Sequence, residues 1–337
     1  MILFSIALLL LIIKGVNINE NSDNPLSIQT TEVLKGIGIL IVFVDHISGY
    51  LRNADAIFLF SLDSQILQIY NLITKFFVGL FLFFSGYGVT FSILSKGQGY
   101  VDAIPRKRIY TTLVNFDIAV VAFLCLNFFL GTRYDLFHVL LSFVAWESLG
   151  NSNWYIFAIL CCYLSSYLVA KLDVSNKYHV LGIGVLSLCY MTIISYFKEL
   201  WWYNCIFAYV GGGIFCIYKT RILQIVKDRY FMFVLFFSVI LAILLPLSHN
   251  PIVSNVAVLC FCFLIVLFCL KIQVNEKFLG WCGRHLFPLY IYQRIPMILG
   301  ISLCPTIARD TPFVYILLCL LVSIIIAKIV PQIKFER

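Results

Sequence analysis

The feature that most constrains this chain is a series of long apolar segments, recurring almost from end to end and separated by short polar connectors. Eleven can be read, at 1–13, 34–51, 71–94, 109–131, 153–170, 178–197, 200–218, 230–247, 252–270, 286–304 and 312–330. A hydrocarbon layer about 30 Å thick asks for about 20 apolar residues per helical span, and most of these segments supply them. With 62% apolar and 12% charged residues in 337, a soluble protein could not cover its own surface. The expectation is therefore an all-α, polytopic transmembrane helical bundle of about ten core spans plus an extra N-terminal one. No stretch is long and polar enough to form a separate soluble domain. The first segment is short for a span and lacks the basic start of a secretory signal, which leaves an uncleaved anchor and a half-inserted helix both open.

Charge follows the segments. The connector "SKGQGYVDAIPRKR" carries Lys96, Arg106, Lys107 and Arg108 against Asp102, and the connectors at 219–229 and 271–278 are also basic. Lys334 and Arg337 add charge to the tail, while the intervening connectors are neutral or nearly so. Basic loops alternate with the others as consecutive spans require, which places the C-terminus and residues 14–33 in the cytoplasm. The net charge of +8 thus belongs to membrane topology, and nucleic acid is not an expected partner. Several of the twelve cysteines, such as Cys161, Cys162, Cys260 and Cys262, lie inside apolar runs. There they act as small hydrophobes, and no zinc-type spacing suggests a metal. One outer connector, 133–153, has an apolar centre too short to span and reads as an interfacial or re-entrant helix.

The second segment, "LKGIGILIVFVDHIS", holds ionisable groups where they are costly. Lys35 and His46 are eleven residues apart, three helical turns plus about 20°, so they share nearly one face. The rise puts His46 about 16 Å beyond Lys35, near the bilayer midplane. Lys35 can snorkel to the interface, whereas His46 cannot. A histidine at that depth faces a bundle interior or a wet cavity, either as an interhelical hydrogen-bonding group or as a functional one. Its ordinary pKa also suits proton abstraction at neutral pH. Asp45 lies about 100° around the helix and can contact a different neighbour.

These residues carry a resemblance. "LKGIGILIVFVDHIS" resembles the first core helix of the acyltransferase family 3 membrane proteins, which have an Arg, ten residues and a His; Lys35 stands in place of the Arg. "KFFVGLFLFFSGYGVTFS" is similar to the family's second helix, ending in Ser85, Gly86 and Tyr87. "RKRIYTTLVNF" looks like the basic start of its third, and "NSNWYIFAIL" resembles its Trp-centred helix start at Trp154. "GRHLFPLYIYQRIPMI" is similar to its late Tyr-x-x-His helix, with Gln293 at the His position. The pieces span roughly residues 30–330. The resemblance implies a hydrophobic anchor and cytoplasmic linker at 1–33, and a membrane acyltransferase domain at 34–337. It also implies a bacterial cytoplasmic (inner) membrane location and transfer of an acyl group, usually acetyl, from acyl-CoA to a hydroxyl of a cell-surface polysaccharide or its sugar precursor. The expected partners are acetyl-CoA as donor, a glycan or lipid-linked sugar as acceptor, and the lipid bilayer; a homodimer is compatible with this reading, and no metal is expected.

On that reading His46 is the base, or an acyl acceptor in a two-step route, with Asp45 and Asp117 as further catalytic candidates. Asp117 could instead pair with Lys35 or Arg108. Lys35, Arg106, Lys107 and Arg108 are the candidates for the phosphates of coenzyme A, although Lys lacks the bidentate grip of Arg. Ser85, Tyr87, Glu147, Trp154 and Gln293 are the acceptor-side candidates, Ser85 being equally readable as a packing residue. Gly211, Gly212 and Gly213 have no Lys-Ser/Thr after them, so close helix packing is the better reading. Arg284, His285 and Arg294 bracket a helix broken by Pro288 and Pro296, and such a break can line a cavity. Two other classes remain in view: a glycan flippase or transporter and a glycan polymerase. The first lacks paired broken helices in matching halves. The second would be expected to carry a large Arg-bearing outer loop, whereas 52–74 and 132–152 hold one Arg each, Arg52 and Arg133.

Overall fold

All eleven apolar segments fold as helix. The computed structural model describes residues 1–18, 24–58, 60, 62–172 and 175–333, so Lys334 and Arg337 lie outside the described residues. In chain order the helices begin with α1 (Ile2–Gly15), α2 (Ile28–Asn53), α3 (Asp63–Lys96), α4 (Gln98–Ile104), α5 (Thr111–Phe129), α6 (Leu136–Phe143), α7 (Trp154–Ala170) and α8 (Asn176–Ile194). They continue with α9 (Phe207–Lys227), α10 (Tyr230–Leu244), α11 (Pro251–Lys271), α12 (Lys277–Arg284), α13 (Leu286–Tyr292), α14 (Arg294–Leu303), α15 (Pro305–Asp310) and α16 (Pro312–Ile329). A π-helical turn, Pro105–Tyr110, joins α4 to α5. Among the described residues eight helical stretches are long and apolar enough to cross a membrane, and α1, α7 and α10 are shorter apolar helices. Among those residues the strands are β1 (Val16–Ile18) and β2 (Ile272–Val274), an antiparallel pair with Asn17 opposite Gln273.

Local chemistry sets the helix ends. Ser27 caps α2 by accepting from the Thr30 N–H (3.1 Å), so the helix begins before the apolar run does. Asn250 caps α11 ahead of Pro251, whose missing N–H costs nothing at the first helical position. The segment expected at 200–218 instead becomes a single 3-10 turn at Leu200–Trp202, followed by α9. That helix runs on through Lys219 and Arg221, because good helix formers extend a helix beyond the apolar layer at little cost. The 286–304 segment is split at Gln293 between α13 and α14. Pro296 contributes to the break, since it has no N–H to offer the Tyr292 carbonyl one turn earlier.

The basic connectors gather at one end of the bundle. There Lys171 meets Asp102 (2.6 Å), Arg284 meets Glu32 (2.9 Å), and the Asn115 side chain bonds both backbone groups of Ile333. β1 and β2 bring the end of α1 to the same level. At the opposite end the Ile57 N–H bonds the Arg309 carbonyl (2.7 Å) and Lys75 donates to Ser248 (2.6 Å). The core has two lobes, one around α2, α5 and α12–α16 and the other around α3 and α7–α11. Glycines bring key helices to backbone contact: Gly86 of α3 abuts the Tyr209 carbonyl and Gly212 of α9 abuts the Phe83 carbonyl. Gly36 and Gly283 do the same for α2 and α12, against the Leu279 and Glu32 carbonyls.

The outer connector departs from a plain interfacial helix in an informative way. α6 is a single short helix, capped by Asp135 and with Leu136, Phe137 and Leu140 exposed. After it the chain turns inward, and Ala145, Leu149, Asn151, Ser152 and Asn153 are all buried. Ala145 sits at φ +59, a region that costs a non-glycine residue about 1 kcal/mol or more. Its carbonyl is held by Asn153 Nδ2 (2.9 Å), and the Ser148 hydroxyl donates to the Asn151 carbonyl (2.7 Å). Side chains thus satisfy this buried loop, as buried backbone requires.

Candidate active site

The loop, the α13/α14 break and α2 meet at a cavity of about 670 Å³ that opens at the end opposite the basic connectors. His46 lines it from α2. Its Nδ1 faces the amide nitrogen of Gln293 at 3.0 Å, and its Nε2 faces the Ser152 hydroxyl at 3.4 Å. Ser152 also lines the cavity, so Nε2 is the nitrogen presented to a bound molecule. The amide nitrogen, which also donates to the Tyr290 carbonyl (3.3 Å), supports the tautomer with its proton on Nε2; Nε2 is free to take a proton only when the amide turns so that its oxygen accepts from Nδ1–H. Gln293 can therefore serve either tautomer but cannot store a proton. Changing Gln293 to Leu strands the buried Nδ1 without a partner and should lower kcat roughly 10–100-fold with the fold retained. Steady-state kinetics beside a detergent melting curve would check this, and an unchanged kcat would remove Gln293 from the site.

Asp45 also lines the cavity. With its amide set to satisfy both neighbours, Asn71 of α3 donates to Asp45 Oδ1 (2.7 Å) and accepts from Arg52 (2.7 Å). This bridge ties the last turns of α2 to α3 beside His46. Arg294, from the first position of α14, reaches the Asn151 carbonyl with one guanidinium nitrogen (3.4 Å) and lies over the Tyr50 ring (5.8 Å). Nearer the mouth Lys198 pairs with Glu147 (3.0 Å), donates to the Trp146 carbonyl (2.8 Å) and lies over the Trp146 and Trp202 rings (4.6 and 4.9 Å). Trp154 and Trp201 add further aromatic surface to the wall.

Toward the basic end the lining changes. Tyr155, half-buried behind the cavity, contacts Tyr290 (centroids 5.4 Å apart) and Phe81 (6.4 Å). Ser85 stands between the hydroxyls of Tyr155 and Tyr163. Beyond that layer Lys35 lies over the Phe84 ring (5.8 Å), close enough to Arg108 for the two cations to repel one another. Arg108 Nε donates to the Tyr100 hydroxyl (3.0 Å), and its guanidinium lies over Tyr163 (5.9 Å). Neither cation forms a salt bridge with a described residue. The Glu32 carboxylate also acts on Lys35 but is bridged to Arg284 (2.9 Å), so the two neighbouring cations remain a favourable place for an anion. The π-helical turn sets the Arg108 direction, and such turns recur at functional sites.

The structure thus brings His46, Asp45, Glu147, Trp154 and Gln293 to one cavity or its immediate wall, with Ser85 in the layer behind and Lys35 beside Arg108 further on. Arg106 and Lys107 are exposed on the outside of the π-helical turn. Tyr87 packs in the α3–α9 interface against Phe91 and Phe215. Asp117 lines neither this cavity nor a salt bridge with Lys35 or Arg108 among the described residues, and its buried Oδ1 has no hydrogen-bond partner there. Sequence reasoning did not single out Asn71, Asn151, Ser152, Lys198 or Tyr290. The polar run Glu147–Asn153 was the available signal, being unusually rich in amides and hydroxyls for an outer connector.

A helical bundle with an intramembrane histidine in a polar cavity at one end, and a half-buried cation pair toward the other, has the form of a polytopic membrane acyltransferase. A family model described as an acyltransferase domain matches residues 29–330, from the start of α2 to the end of α16. The chain belongs to the acyltransferase family 3 membrane proteins. No curated protein and no solved structure matches it.

Proposed function

We propose that the chain is an O-acyltransferase of a bacterial cytoplasmic membrane. It moves an acyl group, in the first place acetyl, from a cytoplasmic coenzyme A thioester to a hydroxyl of a cell-surface polysaccharide or of its lipid-linked precursor. The observation that carries this reading is His46, which presents Nε2 to a polar cavity at mid-bundle depth while Gln293 holds its other nitrogen. A sugar hydroxyl is a poor nucleophile, and a base that takes its proton during attack on the thioester carbonyl supplies the missing reactivity; His46 does so at Nε2 with the Gln293 amide turned to accept from Nδ1–H. The basic end then faces the cytoplasm, in keeping with the charge of its loops. Lys35 and Arg108 receive the phosphates of coenzyme A, whose flexible arm points its thioester past the Ser85–Tyr155 layer toward His46. The acceptor comes from the other end, where Trp154, Trp201 and Glu147 suit a sugar ring, with its apolar faces and polar rim. Asp45, held by Asn71 and Arg52, fixes the end of α2 so that His46 keeps its direction.

The test is transfer of labelled acetyl from acetyl-CoA to extracted glycan in membranes that contain the protein, against membranes that lack it. Label in the glycan supports the reading. If the protein instead moves unmodified lipid-linked glycan and transfers no label, the transporter reading replaces it. The donor site makes its own prediction. Arg108→Gln should raise KM for acetyl-CoA about tenfold by removing a charge-assisted contact, whereas Lys107→Gln, on the exposed side of the same turn, should change it little. Initial rates against donor concentration would check this; equal KM for both variants would place the phosphates elsewhere.

A further inference from the structure

Three polar atoms that the fold buries without a hydrogen-bond partner line the cavity around His46: Asn151 Nδ2, the Tyr290 hydroxyl and Arg294 Nε. Buried polar groups are almost always satisfied, and each one left over is destabilising. Three at one polar cavity can all be met by one acceptor atom of a bound substrate. Their directions are fixed by other contacts. Asn151 uses its carbonyl oxygen to accept from the Leu149 N–H (3.1 Å), which turns its NH2 the other way. The Tyr290 ring is wedged between His46 (6.0 Å) and Tyr155 (5.4 Å); its hydroxyl looks toward Ser152 without reaching hydrogen-bond geometry. Arg294 spends a terminal nitrogen on the Asn151 carbonyl (3.4 Å), leaving Nε. The donors therefore come from three separately held places: the inward loop, α13 and α14.

We propose that Asn151, Tyr290 and Arg294 form the oxyanion site of the transfer, donating to the acyl carbonyl oxygen as it becomes an alkoxide. The proposal rests on the acyl-transfer reading above. In the step it serves, the acceptor hydroxyl oxygen bonds to the thioester carbon and its proton passes to His46. The carbonyl π pair moves onto oxygen, where the three donors meet it. The pair then returns, the carbon–sulfur bond breaks, and the coenzyme A thiolate takes the proton back from His46. Donors held in place before reaction stabilise that charge without reorganising. One cation and two neutral donors suit a charge that appears only in the transition state.

The decisive variant is Tyr290→Phe, which removes only an unpartnered hydroxyl. In purified protein it should lower kcat for acetyl transfer roughly 10²–10³-fold, with KM for acetyl-CoA and for the glycan little changed. Its melting temperature should be equal to or above that of the wild type, because the lost group was unsatisfied. Arg294→Lys, which keeps the charge but not Nε, should show the same split between kcat and KM. Raised acceptor KM at unchanged kcat would overturn the proposal and assign these donors to acceptor binding. Unchanged kinetics in both variants would overturn it while leaving acyl transfer intact, and so would a Tyr290→Phe protein that melts much earlier, since the hydroxyl would then be structural. Wild-type protein that transfers no acyl group would remove the reaction and this site together.

Discussion

His46→Ala should abolish the proposed acetyl transfer while leaving the bundle folded and acetyl-CoA bound. General-base assistance contributes roughly 10²–10⁴-fold, and Glu147, the carboxylate nearer the mouth, is paired with Lys198. Gln293 is an amide and does not titrate, and Ser152 is a hydroxyl no more basic than the acceptor itself. Asp45 lines the same cavity, but its carboxylate is engaged by Asn71 (2.7 Å). Removing the imidazole also leaves the Gln293 amide and the Ser152 hydroxyl facing a void large enough for water, so the fold should lose little. Initial rates with purified wild type and His46→Ala, alongside binding of acetyl-CoA to each, would check this. Full activity in the variant would move the proton acceptor off α2. Loss of donor binding together with activity would mean that His46 holds the thioester and does not act on it.

Gly212→Leu should strongly destabilise the bundle. A side chain there meets the Phe83 carbonyl and the Tyr87 N–H of α3, and backbone cannot step aside as a side-chain tip can. Gly86 makes the reciprocal contact with the Tyr209 carbonyl, so the two glycines interlock α3 with α9 over about one turn. Overpacking a well-filled interface costs about 1–3 kcal/mol, and rigid backbone on the far side puts this position at the upper end. Small residues matter especially in a bilayer, where helices associate by close packing more than by hydrophobic exclusion. The effect reaches the site, because α3 also carries Asn71 and Lys75 into the cavity wall. Gly88→Leu, two residues along α3, is the control: a Cβ there meets nothing within 4 Å. Melting in detergent should show an early transition for Gly212→Leu and a wild-type one for Gly88→Leu. Equal curves would mean that α3 and α9 are not locked as described.

Much of this was legible in the sequence because hydropathy is a local signal. Segments of apolar residues became helices, and an ionisable pair inside one of them, Asp45-His46, marked the cavity. Boundaries were less legible. α9 outran its apolar segment through Lys219 and Arg221, and the late helix broke at Gln293, which depends on backbone geometry beside Pro296. The remaining site residues were hidden for a different reason. Tyr290 is one of nineteen tyrosines, and nothing local tells a tyrosine at a reaction centre from one in a core. Asn151 and Ser152 matter because the chain after α6 turns into the bundle, a tertiary event that only the inward-facing Ala145 and Leu149 make visible. Asp117 illustrates the reverse. A carboxylate in an apolar run drew attention, but the face of α5 that carries it looks away from the cavity, and which face a helix buries is decided by its neighbours.

The central claim is that donor and acceptor meet at His46 from opposite ends of the bundle. Proteoliposomes with the protein in known orientation, loaded with glycan on one side and given labelled acetyl-CoA on the other, test it directly. Labelled glycan is expected only when acetyl-CoA meets the basic end and glycan meets the end bearing Trp154 and Glu147, with no label in His46→Ala vesicles. Equal labelling with donor and acceptor on the same side, or labelling that survives His46→Ala, would contradict it.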